Sequence, residues 1–222
     1  MQVDLYWPDA DSVSGIAIVA HGFSRSRARH VDLGQALAAA GIAAVIPDLP
    51  HVLDHWANGD AIVELAHKLE TGALGLPPVA RSRLVLIGTS AGGLSTVLAA
   101  AKLPGLGGWI GLDPVDRTGT GISAAAQLTS PAVVLLAEAS HCNLFGSGHS
   151  IARAVPGLLR APVLEGASHC DFEGPTNNFC RAICGGSSAA VQARVRDEAV
   201  SAAVEMLNRD GQRAYGPEAA PH

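Results

Sequence analysis

Lysine and aromatic residues are scarce in this chain. Only two of its 222 residues are lysines, and tryptophan, tyrosine and phenylalanine together make up 4% of it. Charged residues reach 16% with a formal net charge of −5, so the basic surface that nucleic-acid binding requires is missing. The longest candidate for a membrane span, residues 94–112, is broken by Lys102, Pro104 and several glycines. We therefore expect neither a nucleic-acid partner nor a membrane span.

The N-terminus also lacks a recognisable targeting signal. Its first residues, Met1-Gln-Val-Asp-Leu-Tyr-Trp-Pro, have neither the basic nor the apolar region of a signal peptide. A cytoplasmic location, or secretion after removal of an export signal, would each fit.

What the chain has in quantity is aliphatic residues. Apolar residues make up 48% of the sequence, which excludes a disordered chain. The length suits one domain, and we expect residues 1–222 to form a single domain with its core at about 13–207 and a flexible tail at 208–222.

Short apolar runs alternate with amphipathic ones along the chain. The apolar runs predict buried strands at residues 13–20, 42–46, 84–87, 109–112, 132–137 and 161–164. Helical spacing predicts helices at residues 31–40, 60–69, 90–103 and 189–207. This alternation predicts an α/β fold with a mostly parallel central sheet and helices on both faces. Ligands bind at the carboxyl ends of the strands in such sheets, so reactive side chains are expected at these ends.

The strand at 84–87 runs directly into Gly88-Thr-Ser-Ala-Gly-Gly93, which contains the pattern G-x-S-x-G. Between a strand and a helix this pattern is typical of a nucleophile elbow. Glycines at 88 and 92 relieve crowding in the tight turn, and Ser90 Oγ is held out at the edge of the sheet. The amide of Ala91, at the start of the helix, is placed to donate to an oxyanion.

A second strand end offers the other half of an oxyanion hole. The strand at 13–20 is followed by His21-Gly22-Phe23-Ser24, and the amide of Phe23 is the candidate second donor. Gly22 and the Phe23 ring would then border the substrate. A plain turn is the alternative interpretation of this segment.

A nucleophilic serine needs a general base and an acid that orients it. His169 follows the last predicted strand and precedes the closing helix, which is the place of the base in the chain order serine, acid, histidine. Three carboxylates at strand ends are candidates for the acid. Asp113 lies at the strand end itself, and Asp116 and Glu138 are the alternatives. Asp116 could instead act as a capping residue or pair with Arg117.

Metal binding is the less favoured interpretation of the remaining histidines and cysteines. His51 and His55 are four residues apart, but Asp48 and Pro50 suggest a loop there and no third ligand is evident. The cysteines are Cys142, Cys170, Cys180 and Cys184. Two disulfides in any of three pairings, buried free thiols and a zinc site all remain open for them. Two disulfides would brace the loop that carries His169.

Together these segments resemble the α/β-hydrolase superfamily, and within it the chlorophyllase and cutinase-like polyester hydrolase branch. The segments that carry the resemblance are His21-Gly-Phe23, Gly88-Thr-Ser-Ala-Gly-Gly93, Gly111-Leu-Asp-Pro-Val115 and Ser168-His169-Cys-Asp171. The G-x-D-P-V string is similar to the chlorophyllase segment that supplies the acid, which favours Asp113. The resemblance covers about residues 13–207. Chlorophyllases usually carry arginine where Ala91 stands, and polyester hydrolases usually place the acid one strand later, so the resemblance leaves the substrate open.

The resemblance implies a serine esterase or lipase that acts through an acyl-enzyme, with Ser90, His169 and Asp113 as its triad and without cofactor or metal. Trp56 is the candidate aromatic wall of the substrate site. Only about 15 residues, 116–130, separate two strands where a lid often lies, which predicts an open cleft without a large lid domain. An acyltransferase or peptidase with the same triad and a non-catalytic ligand-binding protein are the rival hypotheses. The sequence leaves open whether the ester is a lipid, a pigment or a polymer, and in what oligomeric state the chain acts.

Overall fold

A computed structural model describes residues 1–9 and 13–213 of the chain, with side chains described through residue 209. Within these ranges the chain forms seven β-strands and seven α-helices. The strands are β1 Val3–Tyr6, β2 Gly15–Ala20, β3 Ile42–Pro47, β4 Leu84–Thr89, β5 Gly108–Leu112, β6 Ala132–Leu135 and β7 Leu158–Arg160. The helices are α1 Val31–Ala39, α2 His55–Thr71, α3 Ala91–Ala101, α4 Thr120–Ala125, α5 Gly148–Ala154, α6 Asn178–Cys184 and α7 Ala189–Arg213.

The strands form one sheet in the order β1-β3-β2-β4-β5-β6-β7. Only β1 runs antiparallel to its neighbour, and the other five pairings are parallel. The carboxyl ends of β2, β4, β5 and β6 therefore meet at one edge of the sheet. The predicted α/β class with a mostly parallel sheet is confirmed.

Each face of the sheet is buried under helices, because the inner strands are apolar on both sides. In β2, Ile16 and Ile18 face a core formed with α2 and α3, whereas Ala17 and Val19 face a core formed with α1 and α7. A strand that is buried on both faces shows no polar alternation, which is why the predicted strands read as continuous apolar runs. Within the described part of the chain, none of the helices combines the length and the apolarity that a membrane crossing needs.

The structure contains three helices that were not predicted, α4, α5 and α6, and it differs from the predicted elements by more than two residues at four further places. The sequence analysis missed β1, a four-residue edge strand whose residues are exposed or half-buried. Helix α2 begins at His55 rather than at residue 60, because the Asp54 side chain accepts a hydrogen bond from the Ala57 amide and caps it. Helix α7 continues to Arg213, so the residues just after 207, predicted to be a flexible tail, are helical. Residues 214–222 of the predicted tail lie outside the described ranges.

The fourth difference is the last strand, which lies at Leu158–Arg160 rather than at 161–164. The predicted segment still lies beside β6, where Leu136 and Val163 form an isolated parallel bridge. The pairing register shifts between Ala132 and Val133, opposite Leu158 and Arg160, so the ladder is already irregular within β7. Pro162, which has no N–H to donate, lies in the segment that follows.

Candidate active site

Ser90 stands between β4 and α3 in a strained backbone conformation. Its φ of 55° and ψ of −121° lie where non-glycine residues are rare. The Ser90 amide donates to Leu112 O at 3.0 Å, and its carbonyl accepts from the amide of Val115 at 3.1 Å. These bonds tie the turn to the end of β5 and hold the side chain outward, as the elbow pattern predicts.

The glycines of the elbow are required by close backbone approach. A Cβ at Gly88 would lie 2.4 Å from Gly92 O and 2.3 Å from Thr96 Oγ1. A Cβ at Gly92 would lie 2.3 Å from His21 O. All three separations are too short for real atoms, so the turn can form and pack against the end of β2 only with glycine at these positions.

Ser90, His169 and Asp113 form one chain of hydrogen bonds. Ser90 Oγ lies 3.0 Å from His169 Nε2, and His169 Nδ1 lies 2.6 Å from Asp113 Oδ2. With the proton on Nδ1, His169 donates to the carboxylate and its Nε2 is free to accept the serine proton. The sequence analysis named these three residues as the triad, and the structure brings them together from separate strand ends.

Asp113 is buried and held by several donors. The residue is 1% exposed and has a positive φ of 44°. Its Oδ1 accepts from the Ala137 amide at 3.1 Å, and Asn143 Nδ2 lies 3.1 Å from Oδ2. These hydrogen bonds fix the orientation of the Asp113 side chain toward His169.

The two alternative acids have other partners. Asp116 accepts hydrogen bonds from the amides of Thr118, Gly119, Gly121 and Ile122, so it caps the start of α4, as one alternative proposed. Glu138 accepts from the Gly166 amide at 2.9 Å. Neither carboxylate is within hydrogen-bond distance of His169.

The segment after β2 lies directly against Ser90. A Cβ at Gly22 would be 3.2 Å from Ser90 Cβ, so Phe23 follows immediately beside Ser90. The backbone amides of Phe23 and Ala91 have no acceptor among the described residues. Both are therefore free to donate to a ligand, as an oxyanion hole requires.

His21 holds this segment through hydrogen bonds at both ring nitrogens, and these bonds define the tautomer of His21. Its Nε2 accepts from the Leu49 amide at 2.9 Å, so the proton is on Nδ1, which donates to Gly22 O at 2.9 Å. Burial lowers the pKa of His21, which keeps the imidazole neutral. A neutral ring is compatible with both bonds, whereas an imidazolium could not accept from Leu49.

A small cleft lies beside the two free amides. Its lining includes Phe23, Val52, His51, His55 and Ser95. Burial lowers the pKa of His55, whose Nδ1 is buried without a partner among the described residues. His51 and His55 thus contribute to the cleft wall.

Trp56, the predicted aromatic wall, follows His55 in α2 but is not part of the lining of this cleft. Its ring is 51% exposed, and Lys102 Nζ stands 5.4 Å from the ring centre in a cation–π contact. Phe23, which is 54% exposed, is the aromatic side chain in the lining.

Two disulfides flank the segments that carry Asn143 and His169. Cys142 is bonded to Cys184, and Cys170 is bonded to Cys180. Cys170 directly follows His169, and Cys142 directly precedes Asn143, so both bonds join these segments to α6. The sulfurs of Cys170, Cys180 and Cys184 lie within 4.8 Å of one another, but all three are bonded as disulfides and offer no thiolate to a metal.

Two residues at the site were missed by the sequence analysis. Asn143 is fully buried against Asp113, and Glu173 is 5% exposed beside Gly22. Neither belongs to a motif, because each acts through contacts between segments far apart in sequence. The only sequence signal that could have drawn attention to Glu173 was its position four residues after His169.

The comparisons with known proteins add no assignment: no protein-family model matches the sequence, and no curated protein gives a significant match.

Proposed function

We propose that this chain is a serine hydrolase of the α/β-hydrolase fold that cleaves carboxylic esters through an acyl-enzyme. The observation that carries the proposal is the unbroken pair of hydrogen bonds from Ser90 Oγ to His169 Nε2, 3.0 Å, and from His169 Nδ1 to Asp113 Oδ2, 2.6 Å. Nucleophile, base and orienting acid in this geometry are the arrangement of nucleophilic acyl transfer.

The chemistry follows from the two ring nitrogens of His169. As Ser90 Oγ attacks the ester carbonyl carbon, His169 Nε2 accepts the hydroxyl proton, and Asp113 stabilises the imidazolium. The carbonyl oxygen becomes an oxyanion that accepts from the free amides of Phe23 and Ala91. Collapse of this intermediate breaks the bond to the alcohol, which leaves with the proton of His169.

Hydrolysis then repeats the same steps with water. His169 takes a proton from water, the hydroxide attacks the acyl carbonyl carbon, and the carboxylic acid leaves as Ser90 recovers its proton. An ester is favoured over a charged substrate because Phe23 and Val52 give the cleft apolar side chains next to the nucleophile.

The test is hydrolysis of a short p-nitrophenyl ester by the wild type and by Ser90→Ala. The matched control is Ser123→Ala, which removes an exposed hydroxyl on α4. Intact mass after treatment with a fluorophosphonate reports whether one activated serine is present, and peptide mapping locates it. We expect turnover by the wild type and the control, no turnover by Ser90→Ala, and an adduct on Ser90 alone.

Other outcomes would favour the rival hypotheses. A folded wild type that neither turns over nor reacts with the phosphonate would refute the hydrolase and favour a ligand-binding protein. An adduct on Ser90 with product formed mainly when a second alcohol is added would favour an acyltransferase.

A further inference from the structure

Glu173 is a buried carboxylate that the proposed reaction does not use. It follows the 3-10 turn His169–Phe172 and is 5% exposed. Burial raises the pKa of the Glu173 carboxyl, and the positive charges of Arg25 and Arg29 act in the opposite direction. A buried carboxylate is costly and could be replaced by an apolar side chain if it only filled space, so it calls for a functional explanation.

The carboxylate reaches both ends of the turn that carries Phe23. Its Oε1 lies 3.2 Å from the position of a Cβ on Gly22, and its Oε2 lies 3.1 Å from Arg25 Nε. The contact with Arg25 is an ion pair rather than an aligned hydrogen bond. The side chains of Arg25 and Glu173 are 16% and 6% exposed, so solvent screens this pair little.

This turn needs support from outside. The Arg25 amide donates to Gly22 O at 3.2 Å, and Ser24, the third residue of the turn, has a φ of 54°. A turn with positive φ at that position favours glycine, and a serine there costs on the order of 1 kcal/mol. The peptide units around Phe23 would relax to another conformation unless neighbouring groups opposed it.

The backbone of Glu173 is fixed on both sides. On one side Thr89 Oγ1 donates to Phe172 O at 3.3 Å, next to Ser90. On the other side the Gly174 amide donates to Arg29 O at 2.9 Å, and the Asp32 amide donates to Gly174 O at 3.2 Å. The carboxylate therefore extends from a rigid segment that also carries His169.

We infer that Glu173, with Arg25 as its counter-ion, is a positioning residue that holds the Phe23 amide in the oxyanion hole next to Ser90. The inference rests on the proposed hydrolase function. It links the segment of the base to the segment of the oxyanion donor, so that both are set against one nucleophile.

The experiment compares Glu173→Gln, Arg25→Met, their double variant and Arg25→Lys with the wild type. Glu70→Gln is the matched control, because it breaks another Arg–Glu pair, with Arg81 Nε 2.5 Å from Glu70 Oε1, away from the site. We measure kcat and KM for the p-nitrophenyl ester, the Ki of a trifluoromethyl ketone that forms an oxyanion with serine, and the fraction of Ser90 labelled by phosphonate at the end point.

An oxyanion donor acts more strongly on the transition state than on bound substrate. We expect kcat to fall about 10- to 100-fold in Glu173→Gln and Arg25→Met, with KM within about 2-fold of wild type. The Ki should rise by the same factor as kcat/KM falls. The double variant should lose little more than either single variant, and Arg25→Lys should recover part of kcat. Labelling should still be complete in every variant.

Three results would overturn the inference in an active wild type. The first is a kcat within 2-fold of wild type in both Glu173→Gln and Arg25→Met. The second is a loss of kcat that matches the fraction of unlabelled Ser90. The third is a loss of kcat in Glu70→Gln as large as that in Glu173→Gln. If Glu173→Gln does not fold, Arg25→Met and Arg25→Lys decide between these results. A wild type inert to both ester and phosphonate would instead refute the hydrolase itself, and the inference with it.

Discussion

Acidification should destabilise this protein through His30, which lies just before α1. The residue is 1% exposed, and its Nε2 has no hydrogen-bond partner among the described residues. Burial, with a smaller contribution from nearby His21, lowers the pKa of His30 from 6.5 to about 3. Because the folded pKa lies below the unfolded one, the unfolded chain binds the proton first. The stability that a neutral His30 gives is therefore complete above pH 6.5 and is lost as the pH falls toward 3.

The size of the effect follows from these two pKa values. At pH 5 the unfolded histidine is protonated and the folded one is not, so the loss is about 1.5 pH units times 1.36 kcal/mol, or roughly 2 kcal/mol. A typical domain is stable by only about 5–15 kcal/mol, so a loss of this size is readily measured.

The assay is urea unfolding at pH 8.0, 6.5 and 5.0, without reductant, for the wild type and His30→Phe. His21 and His55, whose pKa values burial also lowers, are present in both proteins, so most of their contribution cancels in the comparison. We expect the loss of unfolding free energy between pH 8 and pH 5 to be about 2 kcal/mol smaller in the variant. His67→Phe, at a position 51% exposed, is the control and should lose as much as the wild type. Equal losses in the wild type and His30→Phe would refute the reasoning.

Three further predictions concern the site and its braces. Asp113→Asn should lower kcat about 10⁴-fold, because it favours the wrong tautomer of His169. Asp116→Asn should lower the melting temperature and leave kcat nearly unchanged. Equal losses of kcat in the two variants would contradict the assignment of Asp113 as the acid. Asn143→Leu should lower kcat about 10-fold, because it removes a buried donor to Asp113; an unchanged kcat would limit Asn143 to a structural role. Replacing Cys142–Cys184 by serines should cost about 4 kcal/mol in chemical unfolding and replacing Cys170–Cys180 about 3 kcal/mol, because the loops they close span 42 and 10 residues; the reverse order would refute the loop-entropy argument.

The sequence was informative wherever the signal is local. The apolar run before Gly88, the glycines of the elbow and the helix that follows lie within a few residues of Ser90, so their pattern predicted the turn. Gly41 is a similar local signal, because it follows α1 with a φ of 80°, the conformation for which glycine is favoured after a helix.

Long-range contacts were not predictable in this way. Asp113, Asp116 and Glu138 all follow neighbouring strands, and only the direction of each side chain decides which one meets His169. Glu173 becomes significant only when the turn that carries Phe23 packs against it. The cysteine pairing likewise depends on where α6 lies, which no local pattern specifies.

The two outer strands of the sheet also affect how this molecule behaves in a concentrated solution. Unpaired N–H and C=O groups on a long, flat edge strand invite intermolecular β-pairing and aggregation. Here one edge, β1, has four residues, and its Asp4 is held by the Arg27 side chain. The other edge, β7, has three residues, and its pairing with β6 is irregular between Ala132 and Val133. A second molecule would therefore find too short a template on either side to extend the sheet.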